Sequence, residues 1–138
     1  RIAGDGPLHR SVAADARRLP NLEYLGWLER ESLMAAMDDA DLLVLPSHVE
    51  AFGTIALEAM VRGRNVLVSS RCGIVGWPEL ERGLYRIRDG EEVAGALARI
   101  ADLDPGLRAE KARIARRAAS ILNDETVARW EELLAGAP

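Results

Sequence analysis

One stretch limits the possible folds more than any other. It joins the apolar run Leu42-Leu43-Val44-Leu45, the polar loop from Pro46 to Gly53, and the apolar-rich segment from Thr54 onward. An unbroken apolar run this short suits a strand buried on both faces, as in a parallel sheet. Pro46 cannot donate to a ladder, so the strand ends before it. Ile55, Ala56, Leu57, Ala59, Met60 and Val61 make a good helical run, and Gly63 ends it. The unit is therefore strand, polar loop, helix. Gly53 and Thr54 fall at the helix start, where unpaired amides and the positive end of the macrodipole face the loop. Such a position attracts anions, phosphate above all.

The same alternation runs along the chain. Arg1-Ile2-Ala3 reads as the tail of a strand, and Gly4-Asp5-Gly6 as its turn. Pro7 suits a first helical position. Leu8, Val12, Ala16 and Leu19 stripe a helix that ends near Arg18, and Pro20-Asn21 breaks it. Leu22 to Gly26 is expected as a strand and Glu29 to Asp39 as a helix. Residues 41–45 form the third strand, 54–62 the helix described above, and Val66 to Val68 the fourth strand. A loop with one helical turn near Pro78 to Glu81 leads to a fifth strand, Leu84 to Ile87. That strand is less apolar and so expected nearer an edge. Val93, Leu97 and Ile100 line a helix from about Gly90 to Leu103. Asp104-Pro105-Gly106 is expected to break the chain. Leu107, Ile114, Ala118 and Ile121 line the next helix, and Asn123 or Asp124 caps a final one carrying Val127, Trp130 and Leu134.

Strands alternating with helices imply an α/β fold with a parallel, Rossmann-like sheet flanked by helices. A chain of 138 residues is expected as one domain, with the sheet and its helices in 1–103 and the C-terminal helices in 104–138. In such sheets the ligand sits outside the carboxyl ends of the strands. The loops Gly4 to Gly6, Gly26 to Glu29, Ser47 to Gly53 and Ser69 to Gly73 all fall at that end and are expected to face one crevice.

Composition removes several functional classes. The net charge of −4 and the scarcity of aromatic residues argue against a nucleic-acid partner. The single cysteine, Cys72, allows no internal disulfide and fits a reducing cytoplasm. No run is long and apolar enough to span a bilayer, and no His, Cys or Asp spacing suggests a metal. The chain opens inside a strand, so it is expected to be a fragment or excised domain with its first strand-helix unit truncated.

Two carboxylates bracket the anion site. Glu50 lies in the loop, and Glu58 lies about one turn inside the helix on the face of Thr54. A carboxylate is a poor phosphate ligand but a good acceptor for sugar hydroxyls. Amides for phosphate together with carboxylates for hydroxyls suggest a nucleotide-sugar. Spacing alone equally allows a solvated Glu50 and a Glu58 that merely belongs to a helix surface.

Glu50-Ala51-Phe52-Gly53 with Glu58-Ala59-Met60 and Gly63 resembles the E-x7-E signature of family 4 retaining glycosyltransferases. The similarity continues in Gly4-Asp5-Gly6-Pro7, Leu25-Gly26, Asp39-Ala40-Asp41, Pro46-Ser47, Val66 to Ser69 and Gly83-Leu84. It covers roughly residues 1 to 103. The resemblance implies one half of a GT-B fold, the C-terminal donor-binding domain. Its full-length enzyme would move a hexose from a nucleoside diphosphate sugar to a hydroxyl acceptor with retention. No metal or other cofactor is implied. Glu50 would lie near the developing oxocarbenium charge as the catalytic carboxylate. Amides of Phe52, Gly53 and Thr54 would hold the distal phosphate and sugar, and Glu58 the ribose hydroxyls. The main chain at Gly26 would touch the base. Trp27 would stack on it or, the favoured expectation, pack in the core. Gly4 and Gly6 would let the backbone approach the nucleotide or simply make the turn.

Other residues are expected to matter less. Ser47 is expected to cap its loop and His9 to idle on a helix surface. His48 stands at a variable position of the pattern, and Cys72 as a small, partly buried residue. Arg108, Lys111, Arg113, Arg116 and Arg117 read as a solvated helix face, with peripheral membrane association of the full-length enzyme as the alternative. The family's diphosphate-binding Arg and Lys lie upstream of Arg1, and the N-terminal acceptor domain is also missing. The piece alone is therefore expected to be inactive, and the whole enzyme to work in the cytoplasm or at the inner face of its membrane. Ile74-Val75-Gly76-Trp77 departs from the family pattern before Pro78-Glu79. The rival readings are a sugar-nucleotide epimerase or phosphorylase of the same fold, or a non-catalytic binding or assembly domain.

Overall fold

A computed structural model describes residues 1–136 of the chain. The fold divides into two compact units, Arg1–Asp39 and Ala40–Pro138. In the first unit, β1 (Ile2–Ala3), α1 (His9–Arg18), β2 (Tyr24–Gly26) and α2 (Arg30–Asp38) follow one another. β1 pairs in parallel with β2, and α1 packs on β2. Arg1 ties the start of β1 to the end of α2. Its guanidinium bonds the Asp39 carboxylate at 2.8 Å and the Asp39 carbonyl at 3.0 Å. Pro7, expected at the first helical position, lies instead in the turn before α1. Its φ serves the tight turn equally well.

The second unit holds β3 (Leu42–Leu45), α3 (Thr54–Val61), β4 (Asn65–Val68), a 3₁₀ turn (Gly73–Gly76), α4 (Pro78–Glu81), β5 (Leu84–Arg86), α5 (Val93–Ala101) and α6 (Pro105–Ala135). Its strands are all parallel, with β4 central and β5 at an edge, as the apolar content of each predicts. Val66, Leu67 and Val68 of β4 are completely buried. Successive strand residues point to opposite faces, so this continuous burial means both faces are covered. On the face of Leu67, the buried cluster continues through Tyr85, Ala96 and Ile100, which brings α5 onto the sheet. Helices α3 and α6 also pack against β4 and against each other. The buried side chains of the two helices are Ala56, Ala59 and Met60 on α3 and Ala112, Ala115 and Ala119 on α6. Gly83 lies in the same seam. A Cβ there would stand 2.6 Å from Cα of Ala115 and 2.8 Å from Cε of Met60.

The C-terminal part departs most from expectation. Asp104-Pro105-Gly106 does not break the chain but starts α6. The Asp104 carboxylate accepts from the amides of Gly106 (2.7 Å) and Leu107 (3.3 Å), and Pro105 occupies the first turn. No second cap operates at Asn123 or Asp124, and α6 is a single helix of 31 residues. No Gly or Pro interrupts it between Leu107 and Ala135, and both candidate caps stay exposed on its surface. The basic face of α6 is also not uniformly solvated. Lys111 donates to the Arg82 carbonyl at 2.9 Å and sits 4.8 Å from the Tyr85 ring centre, and Arg108 donates to the Ala101 carbonyl at 2.8 Å.

An ion pair fastens α5 to the end of β5. Glu91 accepts from Nε and Nη2 of Arg99, both at 2.9 Å, and from the Arg88 amide at 2.9 Å. Arg99 also donates to the Arg86 carbonyl. The Arg99 guanidinium, with the Arg88 amide, holds the Glu91 carboxyl down at about 2.

Two outcomes follow for the fold. Gly83→Ala forces backbone against backbone in the α6 seam and is expected to lower stability by about 2–3 kcal/mol in urea unfolding. Glu91 has a folded pKa below its unfolded value of 4.5, so its contribution is complete above that value and lost as pH falls toward about 2. The stability difference between the parent and Glu91→Gln is therefore expected to be largest near neutrality. It should shrink steadily on acidification from about pH 5 to about pH 2.

Candidate active site

In the second unit the loops leaving β3 and β4 do not hang free. The β3–β4 hydrogen bonding continues past the strands into both loops. The Ser69 amide donates to the Leu45 carbonyl at 3.2 Å, and the Ser69 hydroxyl to the Ser47 carbonyl at 2.5 Å. Glu50 then bridges Cys72 in parallel. The Gly73 amide donates to the Glu50 carbonyl at 2.9 Å, and the Ile74 amide to the Phe52 carbonyl at 2.7 Å. Cys72 Sγ donates to the same Phe52 carbonyl at 3.2 Å. Ser47 thus takes part through its carbonyl rather than as a side-chain cap.

This stitching needs glycine at two positions. Gly53 is the residue before α3 and has a φ of +96°, which L side chains rarely adopt. A Cβ there would also lie 2.6 Å from Cys72 Sγ. Gly73 sits so close to the opposite loop that a Cβ would overlap the Ala51 carbonyl. Glu50 is half-buried, with its Cγ 3.6 Å from where a Gly53 side chain would begin. Its carboxylate stem therefore lies against the start of α3. Glu58 is half-buried one turn beyond Thr54, on a helix whose Ala56, Ala59 and Met60 face the core. Thr54 is exposed at the helix start. Phe52 meets Trp77 edge-on, ring centres 5.6 Å apart, so the four residues that depart from the family pattern end by packing on the signature loop.

Cys72 is more buried than expected, at 2% exposure. Burial pushes its thiol up from the usual value. A hydrogen bond with the Ile74 backbone opposes this, and the charge of Glu50 adds to it. A thiol held protonated is a poor nucleophile. His48 is exposed beside this loop.

The first unit contributes its own pair of strand-end loops. Gly4 and Gly26 both take positive φ, +122° and +64°, and the Gly4 amide donates to the Gly26 carbonyl at 2.7 Å. The Tyr24 hydroxyl donates to the Gly4 carbonyl at 3.0 Å. Gly6 keeps an ordinary φ, and its amide donates to the Asp5 carboxylate at 2.8 Å. His9 Nδ1 lies 2.9 Å from the Gly6 carbonyl and 3.7 Å from Asp5, so it fastens this turn rather than idling. Trp27 is 73% exposed, which overturns the expectation that it packs in the core. It follows Gly26 directly, and that left-handed residue turns the chain outward.

The structure thus gathers Glu50, Phe52 and Gly53 against Cys72, Gly73 and Ile74 in one unit, and Gly4 against Gly26 in the other. Sequence reasoning missed the parts of Tyr24, Cys72 and Gly73. For Cys72-Gly73 a signal was present, a small residue and a glycine just after a buried strand, at the sheet end where ligands sit.

Residues 1–102 match the family described as Glycosyl transferases group 1. Over 133 residues the chain is 35% identical to glycogen synthase of Mycobacterium tuberculosis, which covers 92% of this chain and 32% of that protein. It superimposes on the crystal structure of WaaG, a glycosyltransferase involved in lipopolysaccharide biosynthesis, with a TM-score of 0.69 and 27% identity. That match covers 86% of this chain and 33% of WaaG. It also superimposes on Anabaena HepE in complex with UDP and glucose, with a TM-score of 0.68 and 22% identity, over 98% of this chain and 40% of HepE. These neighbours bear out the α/β, Rossmann-like architecture of GT-B glycosyltransferases. The chain spans about a third of the length of the glycogen synthase that it matches.

Gly73→Ala is expected to separate the two loops of the second unit. Stability should fall by about 2 kcal/mol or more, and the amides of Gly73 and Ile74 should lose protection in hydrogen exchange. Unchanged protection at both amides counts against the stitched arrangement.

Proposed function

Because this chain belongs to the glycosyl transferases group 1 family, we propose that it is the C-terminal, donor-binding domain of a retaining family 4 glycosyltransferase. The full-length enzyme would transfer a hexose from a nucleoside diphosphate sugar to a hydroxyl acceptor. One observation carries this reading. Glu50 lies against the buried, left-handed Gly53, Thr54 is exposed at the start of α3, and Glu58 follows one turn further on.

Each group then has work suited to its chemistry. Amides at Phe52, Gly53 and Thr54 bind the distal phosphate, aided by the helix dipole. Glu58 accepts hydrogen bonds from ribose hydroxyls. In the first unit, the exposed Trp27 after Gly26 offers a stacking surface for an aromatic base. When the bond from the anomeric carbon to the phosphate oxygen breaks, the sugar ring gains positive charge. Glu50 stabilises that charge while the acceptor oxygen bonds to the same face. No metal or organic cofactor enters the scheme. That HepE, a fold neighbour, is seen with UDP and glucose supports a nucleoside diphosphate hexose as the donor class. The acceptor is bound by an N-terminal domain, and the piece alone is inactive. Work in the cytoplasm, or at the inner face of the membrane, suits a nucleotide-sugar donor.

In the complete protein, Glu58→Ala is expected to weaken donor binding about tenfold or more by calorimetry, since ribose hydroxyls lose their acceptor. Glu50→Gln should instead lower kcat by about a hundredfold with a smaller change in donor affinity. Native donor affinity in Glu58→Ala removes this reading in favour of a non-catalytic domain.

A further inference from the structure

The loop leaving β4 does more than support its neighbour. Peptide groups are planar and almost always trans, so the carbonyl of one residue and the amide of the next point in opposite directions. The Phe52 carbonyl accepts from the Ile74 amide at 2.7 Å and from Cys72 Sγ at 3.2 Å. Held toward Cys72 on one side, this peptide must direct the Gly53 amide to the other. The Glu50 carbonyl, held by the Gly73 amide at 2.9 Å, fixes the Ala51 amide in the same way. Cys72 Sγ also fills the space that the absent Cβ of Gly53 leaves, which sets the distance between the loops.

We propose that Cys72 is a positioning residue for donor binding. By engaging the Phe52 carbonyl it aims the Gly53 amide at the donor's distal phosphate, although the thiol never touches the donor. The inference rests on the donor-binding reading above, and it concerns geometry rather than redox chemistry or nucleophilic attack. Its chemical requirement is a small side chain that donates one hydrogen bond. Serine meets that requirement, alanine lacks the donor, and valine overfills the space beside Gly53.

The test uses the complete protein and calorimetric titration with UDP, ADP and GDP, well below the thermal transition of every variant. Cys72→Ala is expected to weaken binding of the preferred nucleotide about tenfold, and Cys72→Ser to restore it to within about twofold of the parent. A merely structural role would make affinity follow thermal stability across the series, with no rescue by serine. That pattern overturns the proposal, as does native affinity in Cys72→Ala. A second measurement needs no variant. Saturating nucleotide should slow the reaction of Cys72 with a methanethiosulfonate reagent about tenfold, as read by peptide mass spectrometry. An unchanged rate counts against the proposal even where Cys72→Ala does not fold. A parent that binds none of the three nucleotides removes the donor-binding reading and this inference together. A parent that binds one of them while Cys72→Ala binds equally well removes the positioning role alone.

Discussion

The structure depends on a hydrogen-bonded ladder that does not stop where its strands stop. β3 and β4 pair from Leu42 with Asn65 to Leu45 with Val68, and the pairing reappears at Glu50 and Cys72. Loops at the carboxyl end of a parallel sheet must normally find partners for their own backbone groups. Here each loop satisfies the other. The cost is steric, because two backbones at ladder distance leave no room for side chains pointing between them. Gly53 and Gly73 meet that cost, and Gly53 also supplies the left-handed turn into α3. The signature loop is thus shaped from outside itself, by a segment some twenty residues later in the chain.

The same logic of small residues holds the scaffold behind the loop. α3 and α6 pack against each other, with Ala56, Ala59 and Met60 buried on one and Ala112, Ala115 and Ala119 on the other, and Gly83 lets the chain entering β5 pass under α6. Close approach matters because the start of α3 carries the candidate site. A helix that could rock on its neighbour would carry the Gly53 and Thr54 amides with it. Close packing that leaves no room for a Cβ at Gly83 suppresses such motion.

Much of this was legible in the sequence, and the reasons are physical. β4 was readable because burial on both faces demands an unbroken apolar run, and β3 carries such a run although its residues stay half-buried at a sheet edge. The order strand, polar loop, helix followed from two apolar runs and their stops at Pro46 and Gly63. Glu50 and the start of α3 were legible because helix position and charge are both local properties. The continuity of α6 was less so, since Asn123 and Asp124 favour caps intrinsically, and only the absence of any Gly or Pro overrode them. Asp104-Pro105-Gly106 was misread for a related reason, because residues that stop one element also start another. Trp27 was misjudged because average aromatic burial says nothing of a left-handed Gly26 just before it. The contact of Cys72 with Phe52 left only a general sign, a small residue and a glycine after a buried strand at the sheet end where ligands sit.

Those nonlocal contacts bear on how an anion could be held by backbone amides. An exposed loop would have to be ordered on binding, and each ordered residue costs on the order of 1–2 kcal/mol. A solvated charge at a helix start gains only about 0.3–1 kcal/mol from the helix dipole. A floppy signature loop would therefore bind phosphate poorly. The ladder through Glu50, Phe52, Cys72 and Ile74 pays that ordering cost during folding, before any ligand arrives. Preorganisation also explains why a carboxylate can stand beside the site without spoiling it. With the Glu50 backbone fixed at its carbonyl and its side chain against Gly53, the carboxylate can stay on the sugar side of the amides rather than compete for them. In the proposed enzyme, the acid that answers the developing charge and the amides that hold the leaving phosphate are separated by backbone hydrogen bonds, not by distance along the chain.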